Sequence, residues 1–185
     1  MIKLVIGIIL FFGMHLVPSV RGLRDRLIAS FGKKGYMALY VIVSLVGIVL
    51  IGNGFATAEI VPVYTPPAWG RDVVFVVMAV SFVLFAAGDM KSNVKRFTRH
   101  PMLWGVVLWS SVHLTVNGNL AEIVLFGSFL LFSFIAMFTA NQRGATLQQE
   151  QLPFKKDIMV IVGGVVVYAI FAKWLHPLLI GVVVI

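Results

Sequence analysis

Gly7-Ile8-Ile9-Leu10-Phe11-Phe12-Gly13-Met14-His15-Leu16 and Gly105-Val106-Val107-Leu108-Trp109-Ser110-Ser111-Val112-His113-Leu114 carry one pattern, Gly-x-x-Leu-aromatic-x-x-x-His-Leu. Glycine, aromatic ring and histidine stand at i, i+4 and i+8, which places them in one stripe along a helix. Each stripe sits in an apolar run, so each histidine belongs inside a bilayer. Working outward, the sequence divides into six apolar runs: Ile2–Val20, Tyr36–Ala58, Val73–Gly88, Pro101–Val116, Leu120–Ala140 and Ile158–Val184. About 20 apolar residues cross a bilayer; the third and fourth runs are short by that measure. The reading is an all-α, polytopic membrane helical bundle of six transmembrane helices in a single domain, residues 1–185.

Composition supports this class. The 185 residues are 60% hydrophobic and only 12% charged, with mean hydropathy +1.01, beyond what a water-soluble domain of this size carries. The first run follows Lys3 as a signal peptide would, but no small-x-small cleavage site follows it, and Pro18 leads into Arg21, Arg24 and Arg26, so it is kept as a span. Three basic loops hold twelve of the 15 Lys and Arg: Arg21, Arg24, Arg26, Lys33 and Lys34; Lys91, Lys95, Arg96 and Arg99; Arg143, Lys155 and Lys156. The alternate loops hold Arg71 alone. Basic loops stay cytoplasmic, which sends both termini to the outer, non-cytoplasmic side of the membrane. The net charge of +8 follows from this rule and from attraction to anionic lipid. The basic loops are short and lack interleaved aromatics, so nucleic acid is not an expected partner.

With six spans, the twin stripes on spans one and four run in opposite directions. This is the mark of two three-span halves related by an axis in the membrane plane. Arg71-Asp72-Val73-Val74 and Lys156-Asp157-Ile158-Met159 repeat in the same sense ahead of spans three and six. Such a duplication would set the two histidines on facing helices. His15 stands about 13 residues, or ~20 Å at 1.5 Å per residue, from the outer end of span one. His113 has a similar rise from the inner end of span four, so their heights differ by roughly 10 Å in a core about 30 Å thick. That offset calls for a tilted ligand or an imperfect pair.

Intramembrane ionisable residues are costly and functional by default. Two imidazoles, each with a small residue and a ring below it, point to a shared haem, with iron ligated by His15 and His113. Gly7 and Gly105 would leave a slot for a flat macrocycle, walled by Phe11 and Trp109. Neutral imidazoles bonded between helices, with glycines for close packing, are the plainer alternative. His176 is a third candidate ligand; Pro177 beside it should break or kink span six, while Lys173 snorkels outward. Arg99 and His100 precede Pro101, which suits a first helical turn, and would meet lipid phosphates or a bound anion there. Asn117-Gly118-Asn119 has the chemistry of a tight outer turn. With no cysteine, disulfides, iron–sulfur clusters and thiolate ligation are excluded. No carboxylate pair, serine triad, phosphate loop or zinc signature is present, so the catalytic residues of any enzyme activity stay unassigned.

The chain resembles the NnrU family of bacterial membrane proteins. The resemblance rests on His15 with Arg21, Arg24 and Arg26, on Tyr36–Ile51, on Tyr64–Trp69, and above all on Arg99-His100-Pro101-Met102-Leu103-Trp104-Gly105, Trp109, His113-Leu114 and Asn117-Gly118. Asn119 departs from it, because the family favours aspartate there. The resemblance implies a role in denitrification, that is, in nitrite and nitric oxide metabolism. The family is also similar to the plant 15-cis-zeta-carotene isomerase, which uses haem b held by two histidines; carried over by position, these are His15 and His113. A hydrophobic polyene or a gaseous ligand is then the expected partner beside the bilayer. Two other functions compete. Arg99-His100-Pro101-x-x-x-Gly105 also resembles the motif with which membrane methyltransferases bind S-adenosylmethionine, although Arg143 and Glu150 are poorly spaced as its further partners. A non-enzymatic assembly or regulatory protein would need its histidines only as polar glue.

Overall fold

A computed structural model describes residues 1–20 and 22–182 of the chain. Arg21 and the last residues of the sixth run, including Val184, lie outside the described residues. The chain is all-helical, 77% helix, with no strand among the described residues. Eight α-helices occur among them: α1 Ile2–Leu16, α2 Leu23–Ala56, α3 Gly70–Asp89, α4 Val94–Phe97, α5 Pro101–Leu114, α6 Leu120–Gln142, α7 Lys155–Ile170 and α8 His176–Ile180.

Five stretches are long and apolar enough to cross a membrane: Ile2–Ser19, Leu23–Ala56, Gly70–Asp89, Leu120–Gln142 and Lys155–Ile180. The fourth expected span is the exception. α5 has 14 residues, about 21 Å at 1.5 Å per residue, short of a core of about 30 Å. The third run gains a turn at its N-terminus and reaches 20 residues. The exposed apolar side chains of these helices, such as Ile42, Leu45 and Val49 on α2 and Val162, Val165 and Val166 on α7, suit contact with lipid.

The second helix begins earlier than its apolar run because the basic loop is itself helical. Its break falls at Gly32, whose φ of 68° and ψ of 165° interrupt the helix; glycine has no Cβ to oppose that backbone. Leu23, Leu27 and Ile28, before the break, pack on a buried cluster of Met14, Val17 and Tyr36. At the far end of the chain, Phe171–Leu175 winds as a π-helix between α7 and α8. Pro177 lacks the N–H that helix propagation needs, and the wider turn just before it absorbs that loss. The expected kink in span six is therefore a π-turn.

The chain divides into two compact units, Met1–Tyr64 with Gly118–Ser128, and Thr65–Asn117 with Phe129–Ile185. In the first, α1 packs along α2, and Leu4, Ile51 and Ala121 form a buried cluster. Its polar end is closed by Lys3, whose Nζ donates to Asn53 Oδ1 at 3.1 Å. The segment before Tyr64 crosses Gly118–Leu120: Val63 N–H donates to Gly118 O at 2.9 Å and Leu120 N–H to Val61 O at 2.8 Å. Asn119 precedes α6, and the Glu122 carboxylate accepts its backbone N–H at 2.8 Å, one of the two bonds of a capping box. Partial burial, and then the Glu122 carboxylate, hold the Tyr64 phenol above its ordinary pKa. In the second unit, α3 packs against both α5 and α7.

Candidate functional site

Each histidine stripe is built by its own helix. His15 lies in the last turn of α1, and its Nδ1–H donates to Phe11 O at 2.6 Å. His113 lies in the last turn of α5, and its Nδ1–H donates to Trp109 O at 2.8 Å. A carbonyl oxygen only accepts, so in each ring Nδ1 carries a hydrogen. The i−4 spacing produces the bond, because a helical side chain leans back over the preceding turn. The aromatic residue of each stripe lies under its imidazole, Phe11 at 4.2 Å between ring centroids and Trp109 at 5.3 Å.

Beyond the stripe the surroundings differ. Tyr40 of α2 lies 5.1 Å from the His15 ring. Trp109 is met edge-on by Phe129 at 5.2 Å. The peptide of His113 is fixed as well, since Asn117 Nδ2 donates to His113 O at 2.8 Å. Asn117 thus closes the C-terminal end of α5, and the turn that follows is completed by Gly118 and Asn119.

The glycines of the stripes are not open slots. A Cβ on Gly7 would stand 2.6 Å from Ile51 N and 2.8 Å from Gly47 O, so the backbone of α2 occupies that side of α1. A Cβ on Gly105 would stand 2.7 Å from the Phe85 ring and 3.0 Å from Ser81 O. Ser81, fully buried, donates from Oγ to Gly105 O at 2.8 Å. Both glycines therefore serve close helix approach.

His15 belongs to the first unit, and His113 and His176 to the second. His176 Nδ1–H donates to Val182 O at 2.9 Å, and the Phe171 ring lies 6.2 Å away. Lys173 reaches outward, its Nζ 5.1 Å from the centre of the Trp174 ring. No cluster of three or more His, Asp or Glu with metal-binding geometry occurs among the described residues.

Arg99 and His100 turn to the protein. Arg99 Nη1 and His100 Nε2 both donate to Asn141 Oδ1, at 3.2 and 2.9 Å. They tie the start of α5 to the end of α6 rather than leaving His100 to an anion. Asn141 carried no signal in the sequence, since one amide at a helix end fits ordinary loop chemistry. A second hub was equally invisible: Asn93 N and Nδ2 donate to Asp157 Oδ1 and Oδ2, each at 2.7 Å. Its amide also pairs with Leu152, donating to O at 2.9 Å and accepting from N at 2.8 Å.

No curated protein and no solved structure matches the chain. The family model described as NnrU protein matches residues 3–184, nearly the whole length, and the chain belongs to the NnrU family.

Proposed function

We propose that the chain is an inner-membrane b-type haem protein of six spans, working in one domain, in which His15 and His113 would hold the haem. One observation carries the reading: both imidazoles spend Nδ1–H on the carbonyl four residues back. Metal-bound histidines commonly donate their other N–H to a carbonyl or carboxylate, which fixes the tautomer and the ring's direction. The donor set suits a haem: two imidazole nitrogens on apolar helices, with aromatic rings beside them. Gly7 and Gly105 are not part of the proposed contact, because neighbouring helices fill their open sides.

When bound, haem would supply one-electron chemistry, at a potential set by its ligands and burial. The chain's own residues do the rest. Phe11 O and Trp109 O hold the two imidazoles in the ligating tautomer, and Asn117 keeps the last turn of α5 closed under His113. Phe11, Tyr40, Trp109 and Phe129 surround the rings with apolar surface. This reading extends to nitric oxide-linked redox metabolism in denitrification, or to cis-trans isomerisation of a polyene of the zeta-carotene type, as the family resemblance implies. The distribution of basic residues supports a topology with both termini in the periplasm.

The purified protein should be red, with a Soret band that shifts on reduction. His113→Ala should abolish haem binding and His100→Ala should spare it. Equal effects of the two would end the ligand assignment. A colourless protein that binds S-adenosylmethionine would replace this function with a methyltransferase; one that binds neither would be an assembly or regulatory component.

A further inference from the structure

We infer that a notch between the short helix α4 and the loop before α7 holds the phosphate of an anionic phospholipid. Arg96, Phe97, Leu147, Gln148 and Gln149 bound a cavity of about 220 Å³, roughly the liquid volume of seven waters. All five residues belong to the second unit.

The notch is a braced feature of the loops. Gln148 N–H donates to Lys95 O at 3.0 Å, joining the two walls. Asn93 is clasped to Asp157 and Leu152 beside it. Gln148 Nε2 donates to Glu150 O at 2.8 Å and Gln149 Nε2 to Leu147 O at 3.2 Å, which holds both side chains back along their own loop. Each amide nitrogen carries a second hydrogen.

Charge selects the class of ligand. The guanidinium of Arg96 is a planar fork that matches phosphate oxygens. Lys91, Lys95, Arg99 and Arg143 lie on the same two loops. The Asp157 carboxylate accepts its two hydrogen bonds from Asn93, and the basic residues of these two loops outnumber it. Position selects a lipid over a free anion. Phe97 is 84% exposed on the rim, and Phe154, just before α7, is 71% exposed. Exposed apolar rings beside basic residues suit the boundary between headgroups and acyl chains. A ligand joining an anionic head to acyl chains satisfies Arg96 and Phe97 together; inorganic phosphate satisfies only the first. The inference is independent of the haem reading.

Native mass spectrometry of the full-length protein, released from vesicles of equal phosphatidylglycerol and phosphatidylcholine, tests it. Phosphatidylglycerol should stay bound in preference, and inorganic phosphate should not displace it. Arg96→Gln, which keeps the side chain's length and removes its charge, should lower the retained fraction about fivefold, the effect of one basic residue near an anionic surface. Replacing Lys33 and Lys34 by Gln, in another basic loop, should leave it unchanged. Equal retention of both lipids, equal loss in the Lys33/Lys34 variant, or displacement by inorganic phosphate would each overturn the proposal.

Discussion

The stripe ending in His15 and the stripe ending in His113 share a sequence and a local geometry but not their surroundings. In both, an imidazole donates to the carbonyl four residues back and sits over its aromatic neighbour. These features follow from helical spacing alone, so the same ten-residue pattern reproduces them. The glycines part company. Gly7 meets the backbone of α2, the helix that follows it, whereas Gly105 meets Ser81 and Phe85 of α3, the helix that precedes it. In an exact inverted repeat the two glycines would meet equivalent neighbours. The comparison teaches that a repeated motif carries its short-range bonds with it, while packing partners are set by the whole chain.

The largest expected effect comes from filling the tighter glycine. Gly7→Ala pushes a methyl group into the backbone of α2, which has no side chain to move aside, and should destabilise the protein by about 3 kcal/mol. Gly105→Ala meets chiefly the Phe85 ring, which can rotate, and should cost about 1 kcal/mol. Reversible unfolding in mixed micelles measures both, and equal losses would erase the distinction between the stripes.

The second repeated pair sharpens the contrast. Asp72 is exposed at the start of α3, whereas Asp157 accepts two bonds from Asn93. Asp157→Ala leaves the Asn93 donors without their carboxylate and should cost about 2 kcal/mol. Asp72→Ala should change stability by less than about 0.5 kcal/mol. A matching loss at Asp72 would restore the equivalence of the two halves. A small loss is also expected at Ser81: Ser81→Ala removes the bond to Gly105 O and should cost about 0.6 kcal/mol, the average for such bonds between membrane helices. A loss several times larger would show that this hydroxyl, more than the Gly105 contact, holds α5 on α3.

Much of the fold was legible because apolar length and helical period are local signals. The apolar runs from Ile2, Val73, Leu120 and Ile158 became long apolar helices, and Pro177 announced an irregularity that the chain resolves as a π-turn. Gly32 gave less warning, since the basic segment before it has too little apolar length to count as a span, yet Leu23, Leu27 and Ile28 give it a packed face. The histidine, aromatic and glycine positions of the candidate site were also visible. What filled the glycine clefts was not, because Ile51, Gly47 and Phe85 are unremarkable apolar positions until two helices meet. Asn141 and Asn93 escaped for the same reason: a single amide in a loop has no period, and its partners, His100 and Asp157, are 41 and 64 residues away.

The most direct test is the spin state of the ferric protein after stoichiometric addition of haemin to the purified chain. Two imidazole ligands give a six-coordinate, low-spin spectrum. That spectrum should appear in the parent protein and persist in His100→Ala and His176→Ala, and it should vanish in both His15→Ala and His113→Ala. A low-spin spectrum that survives loss of His15 or His113, or that disappears only with His176, would contradict the assignment.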